Sequence, residues 1–125
     1  MKQIKHSVIH KAYEVALTSD VKRSKISAIL YTSSGHILAA ASNKAYWGHG
    51  SIYTIHAEQF LIAKIIRMKL ISRHRLNDLN IFVCRVMANG EFSNAKPCSK
   101  CQALLMEAGL TNVFHTDENG NIKEL

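Results

Sequence analysis

His56 and the Cys98-x-x-Cys101 pair stand far apart in this 125-residue chain. One imidazole and two thiols are donors that suit zinc, and they share an ion only if the fold brings two distant segments to one point. The number of donors matters. Structural zinc sites close with four protein ligands, whereas catalytic ones keep a position for water. Glu58, two residues beyond His56, is free to face that position. A metal that acidifies water, beside a base that takes and returns its proton, makes a hydrolytic site.

The pattern around these residues predicts alternating helices and strands. Val8, Ile9, Ala12, Tyr13, Val15 and Ala16 recur at helical spacing over residues 7–18, with Ser7 as the N-cap. Residues 26–31 and 36–41 read as strands joined by the turn-forming Thr32-Ser33-Ser34-Gly35, hence an antiparallel hairpin. The alanine run at 39–41 lets a helix pack close against the sheet. Residues 42–55 read as a long loop with flexible glycines. Its aromatic and basic side chains (Lys44, Tyr46, Trp47, His49, Tyr53) offer surfaces for a base and a phosphate and form either a substrate gate or a cover for the core edge.

His56 then opens a helix whose Phe60, Leu61, Ile62, Ile65, Ile66 and Leu70 are apolar nearly all round. Such a helix is buried on more than one side, by the sheet and by another subunit. Residues 80–87 form a central strand reached by a parallel crossover. Arg85 interrupts it, and either reaches the site or pairs with an acid at the sheet edge. A helix from Cys98 to Ala108 ends at Gly109, and residues 111–116 and 121–125 are the last strands. The order of elements defines an α/β/α three-layer domain with a mixed five-stranded sheet, one domain over residues 1–125. Both donor-bearing helices then start side by side beyond neighbouring strand ends. Their positive ends favour thiolate at the cysteines. Pro97, with no N–H to satisfy, suits the approach to the second.

Lys and Arg outnumber Asp and Glu by 16 to 9, a formal charge of +7. That balance suits phosphate-bearing partners, nucleotide or nucleic acid, and equally a basic surface kept for solubility. Lys64, Arg67, Lys69, Arg73 and Arg75 concentrate it, as a complement to the helix dipole or as a nucleic-acid patch. No apolar run reaches the ~20 residues of a membrane span, and the N-terminus lacks a signal-peptide core. A cytoplasmic protein without a membrane partner is the expectation. Three cysteines argue against a disulfide framework, and Cys84, in the apolar run 81–84, is expected as a small core residue. The remaining histidines (His6, His10, His36, His49, His74, His115) read mostly as surface residues.

His56-Ala57-Glu58 followed by Pro97-Cys98-x-x-Cys101 resembles the signature of the zinc-dependent cytidine deaminase superfamily. The resemblance implies that His56, Cys98 and Cys101 hold Zn2+ and that Glu58 shuttles protons. Asn43, Ala57 and Trp47 are the implied substrate contacts. Asn43 stands where many relatives carry an asparagine that hydrogen-bonds the sugar. The implied reaction is hydrolytic deamination of a cytosine base, on cytidine, deoxycytidine or a nucleotide, to uracil and ammonia. The turn at 117–120 is too short for a helix, so the last strands should be antiparallel. That resembles the cytidine deaminase and toxin-type branch. The branch of tRNA adenosine, deoxycytidylate and APOBEC-type deaminases places a helix there. His56 stands where free cytidine deaminases commonly carry cysteine, and Lys96 where relatives often have serine or glutamate.

Two other readings stand beside this one. The same chemistry can act on single-stranded DNA or RNA, or on an adenine or other base. Alternatively, an inactive zinc-stabilised binding module needs a fourth protein ligand, Cys84 or His115, and has no use for Glu58. A zinc-finger reader lacks its second pair of histidines. The apolar helix after Glu58, in so small a domain, makes a dimer or tetramer the expected assembly.

Overall fold

Helix α1 (His6–Leu17) buries Val8, Ala12 and Ala16 along one face. In this computed structural model the described residues are 4–21, 24–48, 51–70 and 78–125, with side chains for all of these except 47, 48 and 51–54. The helix begins two residues earlier than the Ser7 cap predicts. Lys5 is the N-cap, without a side-chain bond, and its carbonyl accepts from the N–H groups of Val8 and Ile9. Burial of Val8 against the sheet, and not cap chemistry, sets the start.

Strands β1 (Lys25–Thr32) and β2 (Ile37–Ser42) form the expected antiparallel hairpin. Gly35 closes its turn at φ +92°, where a side chain would be strained and a Cβ would lie 2.6 Å from Lys5 Cδ. The expected loop at 42–55 is instead a second hairpin, β3 (Lys44–Gly48) and β4 (Ser51–Ile55), with Tyr46 opposite Tyr53. Its aromatic and β-branched residues are strand formers, and cross-strand pairing uses them better than a loop would. Residues 49–50, and with them His49, lie outside the described residues.

Helix α2 (Ala57–Arg67) follows, then β5 (Leu79–Val86), the two-residue β6 (Phe92–Ser93), α3 (Ser99–Glu107), β7 (Asn112–Thr116) and β8 (Ile122–Glu124). The main sheet runs β2-β1-β5-β7-β8, with β6 paired to the end of β5 as a strand beyond the five expected. β5 is antiparallel to β1 and parallel to β7, so β2 and β5 point the same way across β1, as the crossover requires. β7 and β8 are antiparallel, as the short turn dictates. Gly109, at φ +81°, ends α3 as expected, with Leu110 N–H bonded to the Leu105 carbonyl.

Alternation along β5 splits the interior in two. Leu79, Ile81 and Val83 join Leu61, Ile65 and Leu105 on the α2–α3 side. Phe82, Cys84 and Val86 join Val8, Ala12 and Ala16 on the α1 side. Buried Ala41 and half-buried Ala39 of β2 pack into the α2–α3 side, the close approach the alanine run foretells. With α1 on one face and α2 and α3 on the other, the three layers are complete. No helix among the described residues is long and apolar enough to cross a membrane.

Candidate active site

Two helix starts from distant parts of the chain meet on the α2–α3 side. His56 is the N-cap of α2, and Cys98 the N-cap of α3. Extended backbone at both positions turns each chain into its helix. Gln59 Oε1 accepts from the His56 N–H at 3.1 Å. Gln102 Nε2 donates to the Pro97 carbonyl at 2.8 Å, tying the cysteine turn to its own helix. His56 and Cys98 are exposed, while Cys101 in the first turn of α3 is buried.

His56 Nδ1 lies 3.3 Å from Cys101 Sγ and 3.8 Å from Cys98 Sγ. The donor atoms of all three residues fall within 4.8 Å of one another. Zinc bonds of about 2.3 Å to sulfur and 2.0–2.1 Å to nitrogen, in a tetrahedron, place donors roughly 3.5–3.8 Å apart. The imidazole and the two sulfurs therefore fit zinc in spacing as well as in kind. His115 is no further donor here: it is buried on β7, with Nδ1 3.0 Å from the Thr116 carbonyl oxygen. Cys84 lies on the opposite face of the sheet.

Glu58 is 4% exposed. Burial pushes its carboxyl above the ordinary value, against smaller lowering effects of a backbone N–H, of His56 and of the Cys101 thiol. Burial also pushes the Cys101 thiol up, and the neighbouring Glu58 and Cys98 push it further. Glu58 and Cys101 both resist becoming anions unless a cation joins them, which is the electrostatic counterpart of the donor geometry.

A cavity of about 220 Å³ opens onto His56, Glu58 and Cys98. Val21, Ser24, Ile26 and the segment Asn94-Ala95-Lys96 form its other walls. Asn43 lines it too, but is mostly occupied elsewhere. Its Oδ1 accepts from Ser19 Oγ at 2.6 Å and Ile26 N–H at 3.0 Å, and its Nδ2 donates to the Ser24 carbonyl at 2.7 Å. Ala57 is wholly buried at the start of α2, and Trp47 is on β3 with its side chain outside the described set. Arg85 is not among the cavity-lining residues. It meets no acid among the described residues, and its buried Nε has no hydrogen-bond partner there. Arg73, Arg75 and His74 lie outside the described residues. The walls contributed by Val21, Ser24 and Asn94 carried no signal in the sequence, since each is an ordinary loop residue. Only Ile26 sat in a segment already marked as a strand.

The three-layer α/β/α fold of this domain is shared with solved cytidine deaminases. It overlays the cytidine deaminase from Burkholderia pseudomallei with a TM-score of 0.67 at 16% identity, covering 98% of this chain and 92% of that one. The cytidine deaminase from Mycobacterium leprae gives 0.57 at 17% identity, with 92% and 87% covered. That from Mycobacterium tuberculosis gives 0.54 at 16%, with 85% and 78% covered. No curated protein sequence matches the chain. The profile of the family described as cytidine and deoxycytidylate deaminase zinc-binding region matches residues 2–116, so the chain belongs to that family. It is a hydrolase acting on C–N bonds, of the zinc-dependent cytidine deaminase type.

Proposed function

We propose that this chain, one domain over residues 1–125, removes the exocyclic amine of a cytosine base carried on a nucleoside or nucleotide, giving uracil and ammonia. One observation carries the reading: a carboxylate held 4% exposed on the wall of a cavity, beside three donors spaced for zinc. His56, Cys98 and Cys101 would hold Zn2+, which when bound supplies a Lewis acid that acidifies water. Glu58 does the proton work. It takes a proton from the water that adds to C4 and passes it to the ring nitrogen N3. It then carries the second hydroxyl proton to the amine as the C4–N4 bond breaks and ammonia leaves. Burial suits Glu58 to this role, because a carboxyl raised from its ordinary value holds a proton more readily than an exposed one.

Asn43 retains one amide N–H not used among the described residues, enough to meet a sugar hydroxyl. Ala57, with no bulk at the first position of α2, leaves the backbone there close to a bound base, and Trp47 is the third proposed substrate contact. We further propose a cytoplasmic dimer or tetramer, with the exposed Ile66 and Met68 at the end of α2 as the apolar surface available to a second copy.

The test is ammonia release by zinc-loaded protein from cytidine, deoxycytidine, deoxycytidylate and adenosine. Turnover of a cytosine compound, with Glu58→Gln slower by about 10²–10⁴-fold at unchanged zinc content, is the expected result. A variant that deaminates as fast as the parent removes Glu58 from the reaction.

A further inference from the structure

A second groove, of about 420 Å³, follows the outer edge of β2 between α1 and α2. Lys11 of α1, Lys44 of β3 and Lys64 of α2 all line it, and no carboxylate does among the described residues. The ion pair recorded among those residues joins His10 and Glu14, leaving these three ammonium groups uncompensated. Like charges drawn from three separate elements onto one groove repel until an anion enters. Aromatic surface sits with them. Phe60 lines the groove, with Lys44 Nζ 6.0 Å from its ring centre and the Tyr46 ring 6.4 Å away on the hairpin side.

The groove adjoins the catalytic cavity. Ser42 and Lys44 line the groove, while Asn43 between them lines the cavity. On α2 the same division falls between Glu58 and Phe60. The groove and the cavity thus share the chain at 42–44 and the first turn of α2 as a common wall. An acidic peptide adding to β2 as a strand fits less well. Lys64 Nζ already donates to the Ala40 carbonyl at 2.5 Å, and a lysine so placed blunts the edge.

We propose that the Lys11–Lys44–Lys64 groove binds the backbone phosphates of a single-stranded nucleic acid and delivers one of its cytosines to the neighbouring cavity. The cavity takes the same nucleotide whether it is free or part of a strand. Delivery of a base presupposes the deaminase reaction; phosphate binding in the groove does not.

The experiment measures binding of a short cytosine-containing single strand by fluorescence anisotropy across a salt series, for the parent and for K11Q/K44Q, which leaves the Lys64 bond in place. Deamination of the strand and of deoxycytidine is followed in parallel. The double variant should bind about tenfold more weakly and lose roughly 1.4 from the log–log salt slope, about 0.7 for each phosphate contact. Its kcat/KM should fall for the strand and hold for deoxycytidine. Absence of binding by the parent at low salt, an unchanged slope in the variant, or equal lysine-dependent binding of a duplex of the same sequence overturns the groove. Lysine-dependent binding without ammonia from either substrate keeps the phosphate track, and rejects both delivery and the deaminase reading.

Discussion

The two faces of the sheet each bury a cysteine, and the two thiols have little else in common. Cys84 points from β5 into the α1 side, packed with Phe82 and Val86, its Sγ 3.3 Å from Ser27 Oγ. Ser27 in turn donates to the Ala12 carbonyl at 2.7 Å, so the thiol and the hydroxyl are both satisfied within that face. Burial pushes the Cys84 thiol up to about 11. Cys101, equally buried, is pushed up by burial too, but its neighbours are His56, Cys98 and the Glu58 carboxyl. On one face the thiol is satisfied as a neutral group. The other gathers groups that become anions together only around a cation. Burial alone therefore does not mark a functional cysteine; the company it keeps does.

Replacing each thiol in turn puts that difference under the greatest strain. Cys101→Ser should lose most of its zinc and at least about 100-fold in deamination, more than the 10–100-fold typical of groups that merely support a ligand. Cys84→Ser should keep both zinc and activity. Metal content by atomic absorption and ammonia release read the outcome, and matched zinc loss in the two variants would erase the distinction between the faces. Stability should show the reverse asymmetry. Phe82, fully buried on the α1 side, should cost about 3–5 kcal/mol when cut to alanine, seen in urea unfolding, while the folded fraction keeps its zinc.

The same contrast explains what was legible in the sequence. The α2–α3 face announced itself because its chemistry needs particular residue types: His56, Glu58, Cys98 and Cys101 mean little except together. Three layers and the antiparallel last strands followed from periodicity and from a turn too short for a helix. The β3–β4 hairpin was missed because Gly48 and Gly50 read as loop, while the pairing of Tyr46 with Tyr53 lies in register and not in composition. The start of α1 was misplaced for a related reason: Ser7 has the chemistry of a cap, but packing of Val8 decided where the helix begins. Asn43 was found as a candidate, yet its bonds to Ser19, Ser24 and Ile26 join segments whose approach no local pattern encodes.

Asn43 sits where the comparison is least sharp, on the wall of the cavity but bonded like a structural residue. Asn43→Ala leaves the Ile26 N–H and the Ser24 carbonyl without their side-chain partner, while the Ser19 hydroxyl keeps the main-chain carbonyl of residue 43 at 2.8 Å, and should cost about 1–3 kcal/mol. If the amide also holds the sugar, KM for deoxycytidine rises in the folded variant while KM for free cytosine does not. A loss of stability with KM unchanged for both makes Asn43 structural alone.

The smallest effect is a pH dependence confined to the α1 face. Burial raises Cys84 from 9.0 to about 11 and Tyr31 from 10.0 to about 12. Both groups are neutral when protonated, and the unfolded chain gives up these protons first. Between pH 9 and 11 the folded protein therefore binds more protons than the unfolded one, and stability falls as pH rises. This contribution is fully present below pH 9 and is lost on passing through the raised Cys84 value. Cys84→Ala lowers stability at every pH by leaving a small cavity, but it should flatten the decline between pH 9 and 11, leaving the later one due to Tyr31. Urea midpoints across that range, with parent and variant side by side, give the two slopes. Parallel slopes would mean that the Cys84 thiol ionises as freely in the folded protein as in the unfolded chain, and that the α1 face admits the water its packing is held to exclude.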